Sequence, residues 1–64
     1  MREAELWQRL ERHLGANYAR SWADQYSLSA LGGQTVVEAL AAGVDGKKIW
    51  RAVWQALDLP FRER

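Results

Sequence analysis

The stretch 35–57 predicts two short helices that are joined by a three-residue turn. Thr35 and Glu38 stand at the spacing of a capping box, in which the hydroxyl and the carboxylate each accept a hydrogen bond from a free amide N–H of the first helical turn. Gly43 follows the first helix where a left-handed residue is needed, and Asp45 can cap the second helix. These signals favour an α-helical fold with this helix pair at its centre.

The first part of the chain also has helical periodicity. Apolar residues recur along one side of residues 3–14, Gly15 is a natural stop, and Asn17 can cap the next helix. We therefore predict an all-α fold, a small bundle of four short helices whose last two form a helix-turn-helix-like pair. The predicted helices span 3–14, 17–26, 36–42 and 46–57 of a single domain over residues 1–64, and the C-terminal tail 61–64 is expected to fray.

A chain of 64 residues without cysteine must be stabilised by apolar packing, because disulfides are excluded. In the second helix, Tyr18, Trp22 and Tyr26 have the spacing of a base-stacking ladder. We assign them to the core, because the chain has few other large side chains to fill it. The short helix 36–42 is apolar almost all round and is expected to be buried centrally. The predicted core consists of Leu10, Trp22, Leu31, Leu40, Ile49, Trp50 and Val53.

The inventory of side chains makes an enzyme the weakest functional class. With one histidine, no cysteine and no Ser/His/Asp or HExxH pattern, we expect no catalytic residue, no metal site and no cofactor. His13 is interpreted as a helix-end histidine, and Gly32–Gly33 as a turn, since no strand precedes it as in a phosphate loop. No apolar run reaches the ~18 residues of a membrane span, and the N-terminus is charged and amphipathic. A soluble cytoplasmic protein is therefore expected.

The outward face of the last helix is the candidate binding site. Lys47, Lys48 and Arg51 lie on it, bordered by Trp54. The same helix pair has a spacing that resembles the helix-turn-helix of phage repressor-type DNA-binding domains, Ala39-x-x-x-Gly43-Val44-x-x-x-x-Ile49-x-x-Ala52. This resemblance implies that the second helix enters the major groove of DNA, with Lys47 and Arg51 facing the DNA.

Charge and aromatic content keep a second interpretation open. The net charge is only +1 and the pI is near 8.2, below the value of ~9 that nucleic-acid-binding domains typically exceed. Trp54 beside Lys47 and Arg51 has the aromatic and arginine character of a protein-interface hot spot. The alternative function is a protein–protein interaction adaptor that uses the exposed face of the same helix. A homodimer is also left open, because helix-turn-helix proteins commonly bind paired half-sites as dimers.

Five phrases in a fixed order resemble the short actinobacterial family known as domain of unknown function 3046. They are YARSW (18–22), LSALGGQT (28–35), EALAAGVD (38–45), WRAV (50–53) and DLP (58–60), which together cover nearly the whole chain. Gly46 stands where proline is expected in that family, and Trp54 where cysteine is common. The family has no established activity, but its genes tend to lie beside those of recombinase A and its regulator. The resemblance thus implies a link to DNA repair or recombination, with either DNA or a repair protein as the partner.

Overall fold

Four α-helices form the protein in a computed structural model that describes all 64 residues. The helices are α1 (Glu3–Leu14), α2 (Ala16–Gln25), α3 (Val36–Ala41) and α4 (Gly46–Leu57), and two short 3₁₀ helices span Ser29–Leu31 and Phe61–Glu63. The prediction of an all-α bundle of four short helices is confirmed. None of these helices is long and apolar enough to cross a membrane.

The connection between α1 and α2 is a single residue, Gly15, whose φ of 85° turns the chain. The amide N–H of Gly15 donates to the carbonyl oxygen of Glu11 at 2.8 Å, which ends α1. The prediction that Asn17 caps α2 is wrong. Because the chain turns at Gly15, α2 already begins at Ala16, and Asn17 lies exposed inside its first turn.

The start of α3 has the capping box that the sequence predicts. The Thr35 amide donates to Glu38 Oε1 at 2.9 Å, and the Glu38 amide donates to Thr35 Oγ1 at 3.1 Å. Leu28 and Leu31 are buried and anchor the connector that precedes α3, and a backbone bridge from Leu28 to Gln34 closes that connector into a tight loop. The helix pair is therefore held at its N-terminal end by packing and by satisfied amides.

The turn between α3 and α4 is a Schellman motif. The Gly43 amide donates to the Leu40 carbonyl at 3.1 Å, and the Val44 amide donates to the Ala39 carbonyl at 3.0 Å. Gly43 has a φ of 81°, the left-handed geometry that glycine adopts without a Cβ penalty. The role of Gly43 as a helix stop is confirmed. The prediction for Asp45 is wrong, because its side chain makes no capping hydrogen bond to α4.

The core draws on every helix and on the connector. Six of the seven predicted core residues are buried, and the exception is Leu40, which is only partly buried and packs against the edge of the core. Because α3 has only six residues, it buries only Val36 and Ala39, so the prediction that this helix is buried centrally is wrong. The buried apolar residues are Leu6, Leu10, Ala19, Trp22, Ala23, Leu28, Leu31, Val36, Ala39, Ile49, Trp50, Ala52 and Val53.

Of the three aromatic residues that α2 and its C-cap carry, one lies in the core and two lie at the surface. Trp22 is buried, but Tyr18 and Tyr26 are 59% and 47% exposed, so their assignment to the core is wrong. Tyr26 stacks on Trp22 with ring centroids 5.0 Å apart. Besides Trp22, α2 buries only the small residues Ala19 and Ala23, so its buried side is narrow.

The C-terminal tail is docked, in contrast to the expectation that it frays. The indole N–H of Trp50 donates to the Glu63 carbonyl at 2.8 Å, and the indole N–H of Trp54 donates to the Pro60 carbonyl at 2.8 Å. His13 adds a third tie, since its Nε2 lies 3.1 Å from Glu63 Oε1. A buried indole N–H needs an acceptor, and the tail supplies it.

Gly46, the first residue of α4, lies against the backbone of Met1. A Cβ at position 46 would stand 2.8 Å from the Met1 carbonyl oxygen. We expect Gly46→Ala to lower the free energy of unfolding by about 1–2 kcal/mol, because the partly buried Met1 must move. The cost of moving Met1 should outweigh the gain in stability of up to ~1 kcal/mol that replacement of glycine by alanine usually brings to a helix.

Urea denaturation measures this effect, with Ser21→Ala as the control. Ser21 is exposed within α2, so its replacement reports helix propensity alone. A Gly46→Ala protein that is more stable than the wild type would show that the contact with Met1 imposes no constraint.

Candidate binding site

Helix α4 has one buried side and one charged, exposed side. Ile49, Trp50 and Val53 are buried, whereas Lys47, Lys48 and Arg51 are exposed and make no ion pair. Arg51 is four residues from Lys47 and three from Lys48, and each of these spacings places the two Cβ atoms about 5–6 Å apart on a helix. The structure therefore places the predicted cations side by side on one face.

The N-terminus of α4 adds free hydrogen-bond donors to this face. The amide N–H groups of Gly46, Lys47 and Lys48 make no hydrogen bond, and Asp45 does not cap them. The first turn contains no acidic residue, so two lysines stand at the positive end of the helix dipole. The fold gains nothing from positive charge at that place, whereas a bound anion would be favoured there.

Trp54 lies at the edge of the charged face and is held by the tail. Its indole N–H is satisfied by Pro60, and the ring of Phe61 meets it edge-on with centroids 6.4 Å apart. The guanidinium carbon of Arg64 lies 5.5 Å from the centre of the Trp54 ring. Trp54 is therefore only partly accessible, and Phe61, which is 74% exposed, is the more prominent aromatic side chain.

A second basic surface lies outside the residues predicted from the sequence. Three arginines along α1 and two in the tail line one open groove of about 580 Å³, which we call the arginine groove: Arg2, Arg9, Arg12, Arg62 and Arg64. The spacing of Arg2, Arg9 and Arg12 along one side of α1 is a signal that could have been noticed in the sequence. The contribution of Arg62 and Arg64 could not be noticed there, because the sequence predicts a frayed tail.

His13 packs against the core and contacts the tail. Its ring stacks on Trp50 at a centroid distance of 5.8 Å, and its Nε2 faces Glu63. No group of three or more His, Cys, Asp or Glu side chains is positioned to hold a metal ion. The site residues that the structure brings together are thus cations and amide donors, which bind anions.

Comparison with known proteins gives a family but no characterised relative. No curated protein and no solved structure matches the chain. A family model described as a protein of unknown function, DUF3046, matches residues 1–62 of the 64-residue chain. The chain therefore belongs to the DUF3046 family of proteins of unknown function.

Proposed function

We propose that this protein is a non-enzymatic module that binds the phosphate backbone of duplex DNA through the exposed face of α4. The observation that carries the proposal is the placement of three unpaired cations around an uncapped helix N-terminus. Cationic side chains and free helix amides are the donors that proteins commonly present to phosphate. A link to DNA repair or recombination, which the family resemblance implies, forms part of this proposal.

The order of the elements supports a helix-turn-helix mode of contact. A short helix, a turn closed by Gly43 and a second helix follow one another, and one side of the first two turns of the second helix is exposed to solvent. In helix-turn-helix proteins those turns meet the DNA. Because Gly46 has no side chain and Asp45 is an exposed anion, the face supports binding to the phosphate backbone more than reading of base edges. A homodimer would bring two such faces to one duplex.

The adaptor interpretation has less support from the geometry. An interface hot spot needs a large side chain that is free to enter a pocket of the partner. Trp54 instead has its N–H and one ring edge engaged by Pro60 and Phe61. The cations beside it are free, so the arrangement favours an anionic partner over an apolar protein surface.

The test is the salt dependence of binding to duplex DNA of random sequence. Contacts from three cations predict a slope of the logarithm of the association constant near ~ −2.7 against the logarithm of salt concentration. Affinity should then fall about 40-fold between about 50 mM and about 200 mM salt. Fluorescence anisotropy of a labelled duplex measures both quantities. Absence of salt-sensitive binding at low ionic strength would refute the proposal.

A further inference from the structure

The arginine groove lies between α1 and the C-terminal tail, and none of the α4 cations lines it. Its wall contains five arginines and two glutamates, so its side chains have an excess of positive charge. Ala4 is the only apolar residue among the nine that line it. The groove gathers five of the nine basic residues of a chain whose net charge is only +1. The basic residues are thus concentrated on this groove and on the α4 face.

The acidic side chains in the groove pair with only two of its five arginines. Glu5 pairs with Arg9 at 3.3 Å, and Glu63 is shared between His13 at 3.1 Å and Arg62 at 4.0 Å. The three remaining arginines make no ion pair with any acidic side chain: Arg2, Arg12 and Arg64. Exposed cations without a partner repel one another, and a bound anion would remove that repulsion.

Two of the guanidinium groups are held in position by aromatic rings. The guanidinium carbon of Arg9 lies 5.5 Å from the centre of the Trp50 ring, and that of Arg64 lies 5.5 Å from the Trp54 ring. Such cation–π contacts restrict the long side chains. Arg64 makes no ion pair, and Arg9 donates one N–H to Glu5, so both keep further N–H groups for a ligand. The α1 arginines spread over about 15 Å of helix, so the donors follow a line and do not converge on one point.

We infer that the arginine groove binds a chain of consecutive phosphate groups. Each guanidinium offers paired N–H donors that match two phosphate oxygens, and a row of them suits an anion whose charges repeat along its length. An acidic peptide fits less well, because peptide sites generally add apolar pockets or a free strand edge, and this wall has neither. The phosphates could come from a soluble oligophosphate or from the backbone of a single-stranded nucleic acid. The inference does not rest on duplex binding by α4.

Two neutralised variants with equal loss of charge test the inference. Arg2→Gln with Arg12→Gln removes two unpaired groove cations, and Lys47→Gln with Lys48→Gln removes two cations from α4. All four positions are exposed, so both proteins should keep thermal midpoints close to that of the wild type. Titration calorimetry with inorganic triphosphate, without divalent cations, measures the affinity for a soluble oligophosphate. Fluorescence anisotropy of a labelled oligothymidylate measures the affinity for a single-stranded nucleic-acid backbone.

We expect the groove pair to weaken binding about tenfold or more for at least one probe, and to weaken it clearly more than the α4 pair does. If the groove pair loses affinity for triphosphate alone, the ligand of the groove is a soluble oligophosphate. If it loses affinity for both probes, and triphosphate displaces the oligonucleotide from the wild type, the ligand is a nucleic-acid backbone. Equal losses in the two variants, or no binding of either probe by the wild type, would overturn the inference. The affinity of the same two variants for duplex DNA tests the proposed binding by α4 separately.

Discussion

Trp50→Ala should leave the protein largely unfolded at room temperature. Trp50 is 1% exposed, and its ring lies against Arg9 and stacks on His13, while its N–H holds the carbonyl of Glu63. Removal of a buried tryptophan side chain costs about 3–5 kcal/mol. A single core of this size rarely supplies more than ~3–5 kcal/mol in total, so this one substitution removes most of the stability. Circular dichroism and urea denaturation measure the outcome.

Trp50→Phe is the matched control. It keeps an aromatic ring in the core and removes the hydrogen bond to the Glu63 carbonyl, so we expect a folded protein that is less stable by about 1–3 kcal/mol. Hydrogen exchange should also show faster exchange in the tail, because its tie to α4 is lost. A Trp50→Ala protein with a urea midpoint near that of the wild type would contradict the role of Trp50 as the central core residue.

Lys47→Glu combined with Arg51→Glu should lower the affinity for duplex DNA about 100-fold at low ionic strength, about tenfold for each reversed contact. The salt dependence should flatten, with a slope smaller by about two, because fewer counterions are released. The fold should tolerate the change. Both side chains are exposed and unpaired, and a glutamate in the first turn of α4 is favoured by the helix dipole.

Two further variants control for total charge. Arg2→Glu with Arg12→Glu makes the same change in net charge in the arginine groove, and we expect a clearly smaller loss of duplex binding from it. Asp45→Asn removes the exposed anion beside α4 and should raise duplex affinity severalfold. Equal losses from the two reversed pairs would show that duplex DNA responds to overall charge, and would exclude α4 as a distinct binding face.

The elements of the fold were largely predictable because their signals are local. The capping box of Thr35 and Glu38 and the glycine stop at Gly43 act within one helical turn, and the structure forms both. The errors also have local causes. Asn17 and Asp45 have the chemistry of capping residues, but the geometry of the chain beside each one decides whether the side chain reaches a free amide.

Burial was predicted less well than helicity because it depends on which elements meet. Leu40 belongs to an apolar helix, yet a helix of six residues can turn only part of its surface toward its neighbours. Tyr18 and Tyr26 share a face with Trp22, but only the tryptophan and the alanines around it are enclosed. Periodicity shows which residues share a side, and the packing partner decides how wide the buried side becomes.

The sequence by itself determined four helices, their main start and stop signals, and a charged outer face on α4, because hydrophobic periodicity and capping chemistry operate over a few residues. Tertiary structure alone decided the docking of the tail and the formation of the arginine groove. Both depend on contacts between residues far apart in the chain, such as His13 and Glu63, which meet only when packing has closed the loop between them. Such contacts leave no periodic pattern in the sequence.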